Sequence, residues 1–344
     1  MTMDRSSAGR FRELDVLRGV AALAVVLFHY TRHGTRYFQD YPIDVWLGKY
    51  GVHLFFVISG FVIFYTLEKS RTVVDFWFSR FSRLYPTYWA MLAIFAMWFA
   101  IAQGPAFWWK GFLVNATMLQ KFVGFPDIDD LYWTLGIELA FYGLMTVVFA
   151  LGQMRHIVII ASVWLVASGI WGFVHDYTGP DERSIATTWL ILAYTPYFMA
   201  GIMFYLIHSR GLRTVYAAVI ALALLVAFVI HGMTVGWITL GIFTLVAAAV
   251  LGWLRVFVNP VTLWLGAISY SLYLVHRLPG YALLDWMNER HLSHWTALAI
   301  AVAAALLAGT ALSLLVERPA MHALRGWYRS RNNVNQVVTN LSRT

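Results

Sequence analysis

The sequence predicts an all-α polytopic membrane protein with about ten transmembrane helices and both termini in the cytoplasm, and three observations carry that prediction. Its 344 residues are 60% hydrophobic and only 12% charged, with mean hydropathy +0.66, well beyond a water-soluble domain of this length. The apolar residues gather into ten runs, at 15–31, 50–67, 84–103, 131–151, 156–175, 188–207, 213–231, 235–254, 261–279 and 294–316, each of about the length that crosses a ~30 Å hydrocarbon core. Ten crossings put both termini on one side, and seventeen of the 25 Lys and Arg then fall on that side. By the positive-inside rule that side is the cytoplasm.

The net charge of +8 is spread through short loops rather than gathered in a basic domain, so topology accounts for it and no nucleic-acid partner is expected. The chain has no cysteine, which excludes disulfides, thiolate catalysis and Cys-based metal sites. The N-terminus, MTMDRSSAGRFRELD, runs into the first apolar helix without a small-residue cleavage pattern, so that helix is expected to be retained. Most of the 16 Trp and 18 Tyr read as interfacial belt and core. No internal repeat is visible. Residues 10–327 read as one transmembrane domain and 328–344 as a polar, basic cytoplasmic tail expected to be disordered.

Span one, RELDVLRGVAALAVVLFHY, carries Arg18 and His29 eleven residues apart. That spacing leaves the two side chains about 20° apart around the axis and about 16 Å apart along it. Ionisable groups inside a membrane usually face a bundle interior or a wet cavity, so this face is a candidate site; the alternative is an anchoring Arg and an interfacial His. Span two runs inward, with His53 near its outer end and Ser59-Gly60 at mid-depth, where small residues suit close helix contact or a void. Val73 to Tyr85, VVDFWFSRFSRLY, precedes Pro86 and reads as a cytoplasmic amphipathic helix feeding span three. Its Arg80 and Arg83 are three apart and so adjacent on that helix.

The loop from Gly104 to Asp130 contains an apolar piece, PAFWWKGFLVNATML, expected to lie in the outer interface or re-enter the membrane without crossing. Span four holds Glu138, about 10 Å below the outer surface, the one carboxylate placed inside a span. Span nine ends on His276 in the outer half. Two bands therefore separate by depth: His29, His53, Glu138 and His276 above, Arg18, Arg80 and Arg83 below. For His53 and His276 the plain reading is interfacial, and for Arg80 and Arg83 it is anchoring to anionic lipid. Glu138 resists such a reading, since an unpaired intramembrane carboxylate is expensive. No HExxH-like spacing supports a metal site, and none is expected.

These residues resemble the acyltransferase 3 family, membrane proteins that O-acylate bacterial surface glycans and some small molecules. The resemblance rests on the Arg18 and His29 pair, GVHLFFVISGFVI (Gly51 to Ile63), FSRFSRLYPTYW (Phe78 to Trp89), LYWTLGIELAFY (Leu131 to Tyr142), SYSLYLVH (Ser269 to His276) and LVERP (Leu315 to Pro319). It implies an acyl-CoA donor, usually acetyl-CoA, an essential histidine at His29, and roles for Arg18, Arg80, Arg83 and Glu138. Where many members carry an acidic residue in the GVxLFF block this chain has His53, and the extracytoplasmic esterase-like domain that some members append is not expected here.

The expected function is membrane O-acyl transfer, as an acetyl-CoA-dependent O-acetyltransferase, to a hydroxyl of a cell-surface or exported polysaccharide or its lipid-linked precursor. The expected place is the bacterial cytoplasmic (inner) membrane. Arg18, Arg80 and Arg83 would hold the polyanionic donor. His29 would take the acceptor proton, with Glu138 orienting that imidazole or holding the sugar. His53, Trp133, Tyr273 and His276 are candidate acceptor contacts. The competing class is a transporter or flippase of lipid-linked glycans, for which intramembrane ionisable residues are equally expected.

Overall fold

The computed structural model describes residues 11–34, 43–103, 108–175 and 185–341. They form thirteen α-helices, with no strand among them: α1 (Arg12–Gly34), α2 (Gly51–Lys69), α3 (Val73–Gln103), α4 (Trp109–Asn115), α5 (Trp133–Ala150), α6 (Ile157–Val174), α7 (Ile185–Thr188), α8 (Thr195–Arg210), α9 (Thr214–Val250), α10 (Pro260–Val275), α11 (Arg277–Asn288), α12 (His294–Leu312) and α13 (Arg318–Leu341). Seven helical stretches among the described residues are long and apolar enough to cross a membrane, and Pro260–Val275 is a shorter apolar helix. The chain is an all-α, multi-pass membrane protein. Only helices or closed barrels satisfy every backbone group without water, and the continuous apolar runs here carry the helical solution.

Each of the ten apolar segments contains a helix, and the connections are set by local chemistry. The 37 residues of α9 would span about 55 Å as a straight rod, but Gly232 takes φ 76° and ψ 178°, which divides the stretch into two arms. Glycine alone visits that backbone region readily. Asn259 starts α10 with a capping box to Thr262, followed by Pro260 in the first turn, where a missing N–H loses nothing.

One expectation is corrected. Residues 73–85 are not a separate amphipathic helix: α3 runs unbroken from Val73 to Gln103 through Pro86. Packing outweighs proline's local penalty, since Tyr85 before it and Tyr88 and Trp89 beyond it bond to the carbonyls of Thr117, Asn115 and Ala116. The apolar loop piece folds as the short α4, pinned by Asn115, whose Nδ2 reaches Gly111 O and Pro126 O and whose Oδ1 accepts from Ile128 N; residues 104–107 lie outside the described ones. The backbone beyond Trp327 continues as helix to Leu341.

Two close helix contacts shape the interior. A Cβ on Gly60 would lie 2.1 Å from Phe198 O, and one on Gly201 would lie 2.0 Å from Val57 O, so α2 and α8 meet backbone to backbone. Gly19 and Gly266 do the same for α1 and α10, a Cβ on Gly266 falling 2.2 Å from Asp15 O. Small residues permit this approach where no hydrophobic effect drives helices together. Its consequence is positional: α1 and α10 run side by side, bringing the Arg18 end of one near Ser269 and the His29 end near His276.

Candidate active site

A cavity lies within this bundle, lined from five helices: Arg18 of α1, Ser59 of α2, Arg80 and Arg83 of α3, Glu138 and Tyr142 of α5, and Tyr270 and Tyr273 of α10 among others. The three guanidiniums form no ion pair with a carboxylate among the described residues. Arg80 is 8% exposed, and its Nε is buried without a hydrogen-bond partner. Arg18 feels the charges of Arg83, Asp15, Glu138 and Glu317. Buried cations grouped without matched anions form a site that favours a polyanion.

Glu138 is expected in the band of the histidines, orienting His29, but the structure places it elsewhere. Its Oε1 accepts from Ser59 Oγ at 2.6 Å and from Tyr142 OH at 2.5 Å, and Tyr142 in turn lies against Arg80. The carboxylate therefore belongs to the arginine chamber, drawn there by a serine at mid-depth in α2 and a tyrosine one turn further along its own helix. A second intramembrane carboxylate was missed. Glu317, in the LVERP block, ends a π-helical turn, Ser313–Glu317, is 5% exposed and accepts from Ser271 Oγ at 2.6 Å. A π turn rotates the side chains that follow it relative to a plain α-helix, and such turns gather at functional sites; hydropathy carries no signal of it.

The His29 end of the bundle is a separate group. His29 Nδ1 lies 2.9 Å from Val25 O and 3.2 Å from His276 Nε2, and His276 is 1% exposed. Tyr30 OH donates to His276 O at 2.7 Å. Between the two groups stands Tyr273, whose hydroxyl bonds to Thr134 Oγ1 at 2.9 Å and Leu131 O at 3.0 Å. Its ring lies 6.0 Å from that of His276 and 6.2 Å from that of Phe55. Tyr273, Thr134 and Phe55 all line the cavity, so the arginine chamber extends to within one helical turn of the histidine pair.

Arg277, next to His276, is fixed by Asp129 Oδ1 at 2.8 Å and Asp130 Oδ2 at 2.6 Å. Burial works against its charge, but these carboxylates hold it above the ordinary arginine value. Two candidate residues fall outside both groups. His53 packs against Tyr197, with ring centroids 4.5 Å apart, and lies 6.0 Å from His231. Trp133 packs against Tyr194 and Phe56.

Residues 11–318, most of the chain and all of both groups, match the acyltransferase 3 family, described as an acyltransferase domain. The chain belongs to the acyltransferase 3 family. Among curated proteins it is similar to the acyltransferase MdmB of Streptomyces mycarofaciens, 27% identical over 365 residues and covering 92% of each chain. It is also similar to a putative O-acetyltransferase of Staphylococcus aureus, 25% identical over 319 residues, covering 76% of this chain and 49% of that one. Nodulation protein 10 of Rhizobium leguminosarum bv. viciae is 24% identical over 159 residues, 40% of this chain and 43% of that one. No solved structure matches. As a member of this family the protein is a membrane acyltransferase.

One residue beyond the matched range lies beside the arginines of the chamber. Arg325 of α13 places its Nε 3.3 Å from Ser82 Oγ, and the charges it feels are those of Arg80, Arg83 and Arg329. The stack of Tyr328 on Phe78, centroids 4.2 Å apart, and the bond from Tyr328 OH to Asp75 at 2.8 Å fasten α13 to α3. In the sequence Arg325 is one more loop arginine, and nothing marks it.

Proposed function

We propose that this protein transfers an acetyl group from cytoplasmic acetyl-CoA to a hydroxyl of an envelope or exported polysaccharide, or of its lipid-linked precursor, in the inner membrane of a bacterium. One observation carries the reading: a chamber whose three guanidiniums have no carboxylate ion pair among the described residues reaches to within a turn of a histidine pair. The similarity to a Staphylococcus protein named a putative O-acetyltransferase supports the acyl group, and the polyanionic character of coenzyme A suits the chamber. With both termini cytoplasmic, Arg18, Arg80 and Arg83 face the donor side and His29 the opposite one.

On this reading the guanidiniums bind the donor's phosphates, bidentate where the planar fork allows. Glu138, held by Ser59 and Tyr142, keeps Arg80 in place through Tyr142 and sets the polarity of the chamber. The carrier arm passes Tyr273 and Phe55 to bring the thioester beside His29. His29 Nε2, which carries no hydrogen bond from the described residues, takes the proton of the acceptor hydroxyl as its oxygen attacks the thioester carbonyl. The sulfur leaves and receives that proton, giving the ester and free thiol.

Mass spectrometry of surface polysaccharides from cells with and without the protein tests the reading. Loss of acetyl esters is the expected result, and loss of the whole glycan with its ester content unchanged points instead to a flippase. His29→Ala, expressed and inserted normally, is expected to lower transfer by about 10²–10⁴-fold. Sealed vesicles test sidedness: acetyl-CoA confined to the cytoplasmic face labels an acceptor confined to the other.

A further inference from the structure

The hydrogen bonds around the histidine pair fix both tautomers. His276 Nδ1 faces two carbonyl oxygens, Leu272 O at 3.1 Å and Tyr273 O at 3.0 Å, so it carries the hydrogen and donates. Its Nε2 is then a bare lone pair. That lone pair lies 3.2 Å from His29 Nδ1, which also faces Val25 O at 2.9 Å. A bare Nδ1 on His29 would confront a carbonyl oxygen and a second lone pair, so His29 Nδ1 is protonated and donates to both. His29 Nε2 is left as the free lone pair. The opposite assignment turns lone pairs toward carbonyl oxygens on both rings.

Carbonyl oxygens of its own helix line the Nδ1 side of His276. Leu272 and Tyr273 belong to the last turn of α10, and Leu272 O also accepts from the backbone N–H of His276. The hydroxyl of Tyr30 clamps His276 O, in space that exists because residue 280 is glycine: a Cβ there would lie 2.2 Å from that hydroxyl. The titratable and charged groups facing the pair are Tyr30 from α1, Tyr273 from α10, Arg277 and Tyr281 from α11, and Asp130 from the loop before α5. Arg277 is the one cation among them, and Asp129 and Asp130 hold it in a double ion pair.

We propose that His276 acts through His29 as a proton-holding partner, its Nε2 opposed to His29 Nδ1. This inference rests on the acyl-transfer reading above. As the acceptor oxygen bonds to the thioester carbonyl carbon, its proton passes to His29 Nε2 and the Nδ1 proton of His29 passes to His276 Nε2. The positive charge then rests against the two carbonyls that end α10. When the carbon–sulfur bond breaks, His276 returns its proton to His29 Nδ1 and His29 Nε2 protonates the thiolate. No oxidant or further reactant is needed.

Two measurements test it. Nitrogen-15 histidine NMR of the purified protein, with His29→Gln and His276→Gln to assign the signals, is expected to show both rings protonated at Nδ1 in the resting state. Protonation at Nε2 of either ring overturns the proposal whatever the protein acylates. Single-turnover transfer is then followed from acetyl-CoA to surface glycan prepared from cells lacking the protein. His276→Gln offers an oxygen to the His29 Nδ1 hydrogen but cannot take its proton, so the rate is expected to fall about 10- to 100-fold, below the loss for the base itself, with the acetyl-CoA KM unchanged. Rates in mixtures of light and heavy water should curve for the wild type, as two moving protons require, and run straight for the variant. Full rate in His276→Gln, or a straight wild-type plot, overturns the proposal. Absence of transfer by the wild type would sink the acyl-transfer reading instead, and the NMR arm still decides the tautomers.

Discussion

Arg325 Nε lies 3.3 Å from Ser82 Oγ, across 243 residues of sequence, and this contact adds a guanidinium from the last helix to the pair supplied by Arg80 and Arg83. The cluster is therefore assembled from both ends of the chain. Arg325→Ala is expected to weaken acetyl-CoA binding by about tenfold or more, the weight of one charge-assisted hydrogen bond, and to leave single-turnover chemistry at saturating donor unchanged. Arg80→Lys should recover only part of the loss in Arg80→Ala, because an ammonium keeps the charge without the fork. Equilibrium binding in detergent reads both; unchanged affinity in Arg325→Ala would reduce that residue to a tether for α13.

Glu138 and Tyr142 act as a unit, because one hydroxyl links the carboxylate to Arg80. Glu138→Gln and Tyr142→Phe should each impair transfer, and the double variant should lose much less than the two losses combined, as neighbours in one hydrogen-bond network do. A double-mutant cycle on transfer rate measures the coupling. Independent losses would mean that Tyr142 merely packs.

Ser59 and Gly60 are adjacent in sequence and opposite in role. Ser59 lines the cavity, whereas Gly60 faces the α8 backbone, so a plug belongs at Ser59. The chain has no native cysteine. Ser59→Cys should therefore keep part of its activity, since a thiol donates only weakly to Glu138, and lose the remainder when a bulky thiol reagent is added. Gly60→Ala should instead lower folded yield, since its Cβ meets Phe198 O at 2.1 Å and backbone cannot rotate aside. Thermal stability in detergent separates the two effects.

Arg277→Ala leaves Asp129, 0% exposed, without its cation, at an expected loss of about 3–5 kcal/mol near neutral pH. Burial already pushes the Asp129 carboxyl above its ordinary value, and Arg277 opposes that shift; without the guanidinium it rises further. A carboxyl raised by folding weakens the fold only where the unfolded chain would ionise it, so the deficit should shrink toward pH 4 and grow toward pH 7. Melting curves of both proteins at the two pH values check the sign. A deficit independent of pH would assign the loss to packing.

The helices, the membrane and the family were legible in the sequence because each depends on local quantities. Apolar runs reach the length of the bilayer core, and the blocks from Gly51 to Pro319 are contiguous strings. Arg18, Arg80 and Arg83 were recognised as candidates for the same reason: a cation in an apolar run is conspicuous wherever the run ends up. Which groups meet was not legible. Helix rise placed Glu138 with the histidines, and its partners, Ser59 and the tyrosine one turn along, put it with the arginines. Glu317 turned inward through a π turn that hydropathy does not register, and the stacking of Tyr328 on Phe78 brings Arg325 beside Arg80 and Arg83.

The sequence by itself determined an α-helical membrane protein of the acyltransferase 3 family, with the cations and histidines available to it, because backbone satisfaction in lipid leaves helices no alternative and each span is read one residue after another. Only the tertiary structure decided that His29 opposes His276 rather than Glu138, and that the arginine chamber stops at Tyr273. Those outcomes depend on the rotation and spacing of α1 against α10, set by the contact of Gly19 with Gly266, and a helix read alone does not say which neighbour its face will meet.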